Sequence, residues 1–313
     1  MTGAVEELRI GDGPIEAVVL PEVGARLHRL RAFGHDVLRT PADPGEHVRD
    51  PFFWGAYVMA PWCGRIAPGP VEVGTRRIAL ESNFPDGSAI HGQVYARRWD
   101  GGPERGSVGA FRIEAGGDAW PWTYEVTTRF EVVGTTLRIQ MGLTNRTADP
   151  MPAGLGIHPW FRRPLEVAIR GEAVYASNVA SRPDPEPVPV SGALDLREVG
   201  PMADDLDATW AGLARTPVEL RWPDARIRAS MRIAAPTSYV VAASPGYLDA
   251  IAVEPQTHAP QGIRRMLDGA PGGLAMLAPG ATLDIGVELA FERMAGAEPE
   301  PATVPRERAE EGR

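Results

Sequence analysis

Strict alternation of apolar and polar side chains most limits how this chain can fold, because it marks an extended strand with one buried face. From Tyr124 the apolar positions run Tyr124, Val126, Phe130 and Val132. After Gly134 they resume as Leu137, Ile139, Met141 and Leu143, with Arg138 and Gln140 between them. This predicts a hairpin. Ile227, Ala229, Met231 and Ile233 alternate with Arg226, Arg228, Ser230 and Arg232. Leu283, Ile285, Val287, Leu289 and Phe291 alternate with Asp284, Gly286, Glu288 and Ala290, and Leu165, Val167 and Ile169 give a shorter example. Helical periodicity is scarce, and its best candidate is a short helix over residues 205–213. The 35 glycines and 31 prolines read as turns between strands. The pattern predicts an all-β chain, a β-sandwich or another large antiparallel assembly.

The chain has 313 residues and no evident internal repeat. We expect one domain over residues 1–294 and a disordered tail over 295–313, which is rich in Ala, Pro, Glu and Arg and lacks an apolar period. The stretch 181–189 holds four prolines and reads as a loop.

The formal net charge is -9, and every basic residue is arginine. Without lysine, Schiff-base chemistry through a side-chain amine is excluded. An acidic chain with no basic stripe argues against nucleic-acid binding. The one cysteine, Cys63, cannot form an intramolecular disulfide and is expected to be buried and inert. The first residues lack the basic and apolar regions of a secretion signal, and no apolar run approaches the roughly 20 residues of a membrane helix. The expectation is a cytoplasmic protein without membrane contact.

Four segments place rare polar residues beside Gly, Pro and aromatics: Pro61-Trp62-Cys63-Gly64-Arg65-Ile66, Ile90-His91-Gly92, His158-Pro159-Trp160-Phe161 and Val253-Glu254-Pro255-Gln256-Thr257. His158 and Glu254 each end an apolar run and precede a proline, which restricts them to extended backbone. Taken singly, His158 reads as a satisfied core histidine or a site residue, and Glu254 as a solvated strand end or a buried base. Together they offer a proton donor and a proton acceptor. Arg65 is either a surface cation or a set of fixed donors for hydroxyl groups. His91 either caps a turn or donates to a ligand oxygen. Trp62 and Trp160 belong to the core or stack on a sugar face. His28, His35 and His47 read as solvated, and His258 as a loop residue. There is no zinc-spaced His/Cys cluster, no phosphate-binding Gly-rich loop and no Gly-x-Ser-x-Gly elbow.

In their order along the chain, these motifs resemble the aldose 1-epimerase (galactose mutarotase) family. Gly64-Arg65-Ile66 is followed by Gly69, then His91-Gly92, His158-Pro159-aromatic-Phe161 and Glu254-Pro255-Gln256-Thr257. The resemblance implies a large antiparallel β-sandwich, the galactose mutarotase-like supersandwich. It also implies interconversion of α and β anomers of a free aldose without cofactor or metal. It makes His158 the general acid and Glu254 the general base, and it makes Arg65, His91 and Asp207 substrate-binding. Asp207 is chosen over Asp204 and Asp205 because an aromatic, Trp210, follows it by three. Trp160 joins the substrate-binding set. Gly64 stands where the family often has Asn, and Trp160 where it often has Tyr, so the sugar is left open, as are the pathway and the choice of monomer or homodimer. Three rivals remain: a non-catalytic carbohydrate-binding protein, a glycoside hydrolase using Asp207 and Glu254, and a mutarotase for a phosphorylated or modified sugar.

Overall fold

The computed structural model describes residues 5–176, 186–234 and 239–295. Among them the strands form one eleven-stranded and one nine-stranded antiparallel sheet, with three two-stranded ribbons beside them. The predicted hairpin lies in the nine-stranded sheet. Thr123–Val133 pairs with Thr136–Asn145 from Tyr124–Asn145 to Val133–Thr136. Gly134 takes the first turn position at φ +60°, which a two-residue hairpin turn favours. The two other long alternating segments, Ile227–Ala234 and Thr282–Arg293, pair with each other in the same sheet.

One cluster of buried side chains draws on both sheets, which makes the pair a sandwich. It joins Leu27, Ile157, Phe161 and Val253 of the larger sheet to Phe130, Leu137, Met231 and Ile285 of the smaller. Each such side chain contributes roughly 1.5–3 kcal/mol on burial. A cross-strand pair adds only about 0.2–1 kcal/mol. The inter-sheet interior therefore decides which face each strand turns inward.

The centre of the larger sheet runs Ala56–Met59, Gly156–Arg162, Ala250–Gln256, Tyr239–Ala243, Asp207–Ala211. Ile157, Phe161, Ile251 and Val253 fill the core. By the two-residue period, His158, Trp160, Ala252, Glu254 and Gln256 stand on the opposite face. That face is not open to water: every residue of Ala250–Gln256 is buried.

Three expectations fail here. Residues 205–213 are not helical, because Asp207–Ala211 is a strand. Leu206, Trp210 and Leu213 imitate a helical period. Burial of Ala208, Thr209 and Trp210 on both faces of the sheet removes the alternation that would have marked a strand. His28 and His47 are not solvated either. They are 2% and 0% exposed and share a hydrogen bond of 2.8 Å, so each satisfies the other away from water. His35 is exposed as expected, and His258 lies on a loop but is buried. Within the proline-rich stretch, Val188–Pro189 forms an outer strand of the larger sheet, a position where proline's missing N–H is tolerated. Residues 181–185 and the expected tail beyond residue 295 lie outside the described residues. No helix among the described residues is long and apolar enough to cross a membrane.

Candidate active site

Sheet register builds the centre of the site. The strands Gly156–Arg162 and Ala250–Gln256 pair at Gly156–Gln256 and at Trp160–Ala252, so His158 stands directly across from Glu254. His158 Nε2 lies 3.1 Å from Glu254 Oε1, and both side chains are almost fully buried. On the next strand Tyr57 pairs with His158, and its ring stacks on the imidazole at 4.7 Å and 25°. On the other side Val241 and then Thr209 continue the row. A neighbouring row runs Asp207, Ala243, Ala252, Trp160. Its two alanines leave space between Asp207 and Trp160.

Arg65 and His91 come from one local unit. Arg65–Ile66 pairs with Ala89–Ile90. The His91 amide donates to Gly64 O at 3.0 Å, while the Gly64 amide donates to His91 Nδ1 at 3.3 Å. His91 itself adopts φ +62°, a strained conformation for a non-glycine residue. Gly92 follows at φ +79°, where a Cβ would sit 1.9 Å from Ala60 O. This turn brings the His91 ring edge-on to His158, with centroids 4.9 Å apart.

The amide of Gly64 can only donate, so Nδ1 of His91 accepts and the neutral ring carries its proton on Nε2. His91 is thereby a hydrogen-bond donor toward the cleft. His91, His158 and Glu254 do bring potential metal-ligand atoms within 4.8 Å of one another. The Gly64 contact nevertheless occupies one His91 nitrogen and protonates the other, which suits a hydroxylic ligand better than a cation.

Burial governs the protonation of the pair. It pushes the Glu254 carboxyl well above the ordinary carboxylate range; Asp207 reinforces this and Arg65 opposes it. Burial pushes His158 down to about 3, against the effect of its own carbonyl, with Arg26 and Arg65 adding to the drop. His91 is likewise held neutral by burial, then by His158 and Arg65. The unliganded pair is therefore uncharged, with one proton on Glu254 shared toward His158 Nε2. This reverses the resting protonation that an ionised Glu254 and a protonated His158 would have.

All six residues singled out from the sequence, Arg65, His91, His158, Trp160, Asp207 and Glu254, line one cleft of about 1280 Å³. Asp204 instead pairs with Arg163 at 2.9 Å, and Asp205 accepts from the Gly246 amide at the cleft wall. Trp160 donates from Nε1 to Phe52 O at 2.6 Å, which turns its ring along the cleft. Trp62 belongs to the core, stacked on Trp120. Cys63 is buried, and burial pushes its thiol pKa up, which makes it a poor nucleophile. A second depression, of about 940 Å³, lies on the smaller sheet around Gly142 and Gly286. Of its charged residues, Asp100, Arg112 and Asp284 are exposed and Arg129 is half-buried. It lacks the buried titratable pair that the larger cleft contains.

Three contributors were missed in the sequence. Asp86 accepts from Arg65 Nε at 2.9 Å and is itself held by the Ser88 amide and hydroxyl. Asp86-Gly87-Ser88 is a readable Asx turn, so this signal was available. Tyr57 carried none, since its place beside His158 follows from register. Arg26 carried none either. It is fully buried, donates to the carbonyls of Pro51, Trp54 and Tyr95, and lies 4.6 Å over the Tyr57 ring.

The family model for aldose 1-epimerase matches residues 6–262. The fold is similar to that of a galactose mutarotase-like protein from Clostridium acetobutylicum, at 18% identity over 91% of this chain and 95% of that one, with a TM-score of 0.81. An aldose epimerase homologue from C. elegans gives 16% identity, coverage of 93% and 100%, and a TM-score of 0.80. A galactose 1-epimerase from Lactobacillus acidophilus NCFM gives 19%, 91% and 93%, and 0.74. At these identities the likeness is one of fold. No curated protein sequence matches the chain significantly.

Proposed function

The chain belongs to the aldose 1-epimerase family, and on that premise we propose that it is a mutarotase, interconverting the α and β anomers of a free aldose by acid–base ring opening and closure. The observation that carries this reading is the buried His158–Glu254 contact of 3.1 Å at the floor of the cleft. Ring opening removes one proton from the C1 hydroxyl and delivers one to the ring oxygen. Glu254 takes the first and His158 supplies the second. The C1–O5 bond breaks and C1 becomes the aldehyde. Rotation about C1–C2 and closure on the other face run the transfers backwards, so no proton is gained or lost. The open-chain stage leaves Glu254 protonated and His158 neutral, which is the form that burial favours in the empty cleft. A bound sugar's hydroxyls, together with Arg65, would supply the polar surroundings for the charged form.

Arg65, His91 and Asp207 would hold hydroxyls so that donor and acceptor stay aligned with O1 and O5, and Trp160 would lie against a ring face. The same reading has the enzyme working in the cytoplasm without a cofactor. Exchange between anomers of glucose and of galactose, followed by saturation-transfer NMR or polarimetry, tests it. We expect Glu254→Gln and His158→Asn each to slow exchange by about 10²–10⁴. Near wild-type exchange in both variants would sink the assignment. Sugar binding without exchange in the wild type would instead indicate a binding protein, and cleavage of aryl glycosides a hydrolase.

A further inference from the structure

Gln256 lines the cleft and has no part in the proton transfers described above. It sits two residues beyond Glu254 on the same buried strand, so both side chains leave the same face. Its Nε2 donates to His258 O at 2.8 Å. A carbonyl can only accept, so this contact fixes which end of the amide is which. His258 is itself pinned. Its Nε2 accepts from the Cys63 amide at 2.9 Å, and its Nδ1 contacts Ala259 O at 2.8 Å. The other end of the amide, Gln256 Oε1, is buried and has no hydrogen-bond partner. A buried acceptor left in that condition bears its desolvation uncompensated, which a ligand hydroxyl would relieve. Directly across the sheet stands Gly156, where a Cβ would lie 2.9 Å from Gln256 Cβ. A Cβ there would equally meet Cys63 Sγ at 2.9 Å, so the glycine lets Gln256 and Cys63 sit side by side at the base of the cleft.

We propose that Gln256 is a specificity-determining residue whose side-chain carbonyl accepts a hydrogen bond from one sugar hydroxyl remote from C1. This deepens, and rests on, the mutarotase reading. Two residues along a strand span roughly 7 Å, about the breadth of a pyranose ring. A ring with C1 at His158 and Glu254 therefore places a distal hydroxyl within reach of Gln256. An acceptor-only group held rigidly selects for a donor at that position. It disfavours a sugar that has hydrogen, fluorine or a methyl ether there.

The test uses the 2-, 3-, 4- and 6-deoxy derivatives of whichever of glucose and galactose exchanges faster. We expect wild type to lose about 10- to 100-fold in kcat/KM on one of the four. Gln256→Met should bring the parent sugar down to that level and leave the same deoxy sugar unchanged. Gln256→Glu keeps an oxygen acceptor while losing the donor to His258, and should retain the preference. Equal losses on the parent and all four deoxy sugars in Gln256→Met would overturn the proposal by showing a structural role. So would an unchanged parent rate in that variant. If wild type exchanges neither glucose nor galactose, the mutarotase reading fails separately. Binding of glucose, galactose and their deoxy derivatives to wild type and Gln256→Met, measured by calorimetry, then decides Gln256 by the same pattern.

Discussion

At the scale of single residues, pH reads the state of the pair. The competent His158–Glu254 pair holds one proton between two groups. A second proton binds only as pH falls toward the His158 value of about 3. The single proton leaves only above the raised Glu254 value. The one-proton form thus runs from about 3 up past the ordinary carboxylate value of 4.5, as far as the raised Glu254 value. We expect kcat/KM for anomer exchange, corrected for the uncatalysed rate, to be flat across that interval and to fall on the alkaline side. An acid limb centred near pH 6.5 would show instead that His158 titrates as an ordinary imidazole. The two residues were legible in the sequence because each is polar, rare and set before a proline at the end of an apolar run. Their protonation was not legible. It depends on burial, Asp207 and Arg26, and only the register of distant strands brings these together.

At the scale of elements, the strands divide into two kinds. Those with one wet face, such as Thr123–Val133 and Thr282–Arg293, kept their alternation and were readable. Those that carry the site are buried on both faces and read as apolar runs broken by a few polar residues. For the same reason Asp207–Ala211 passed for a helix. On the proposed function, the His91–Gly92 turn is the element that holds His91 toward the substrate. Gly92→Ala places a Cβ 1.9 Å from Ala60 O in a left-handed backbone. We expect it to cost about 1–3 kcal/mol in denaturant unfolding from backbone strain. It should also raise KM as His91 leaves the cleft. A variant with wild-type stability and KM would show that the turn relaxes without moving His91.

At the scale of the whole molecule, buried histidines tie stability to pH. Burial pushes His47 down to about 2, with Arg26 adding to the drop, and pushes His258 down to about 4; His158 has a value of about 3. In the unfolded chain each takes up a proton as pH falls through about 6.5, while the folded forms do not. Each therefore removes stability from pH 6.5 down to its folded value, by up to about 1.4 kcal/mol per pH unit. Glu254 acts in the opposite sense, since its raised value adds stability as pH falls toward 4.5, but it is one group against five, because burial also lowers His28 and His91. We expect the thermal midpoint to drop between pH 7 and pH 5. A midpoint that holds or rises over that range would rule this out.

The placement of the site on the sheet face away from the core has a consequence for engineering. The proton-handling positions are set by strand pairing, whereas much of the cleft rim belongs to connecting segments such as 67–70 and 245–248. On the proposed function, replacing those segments would alter which sugars enter while leaving the floor and the inter-sheet packing untouched. On the same reading, libraries confined to them would search the rim's share of substrate range at little risk to folding, while the selectivity proposed for Gln256 stays with the floor.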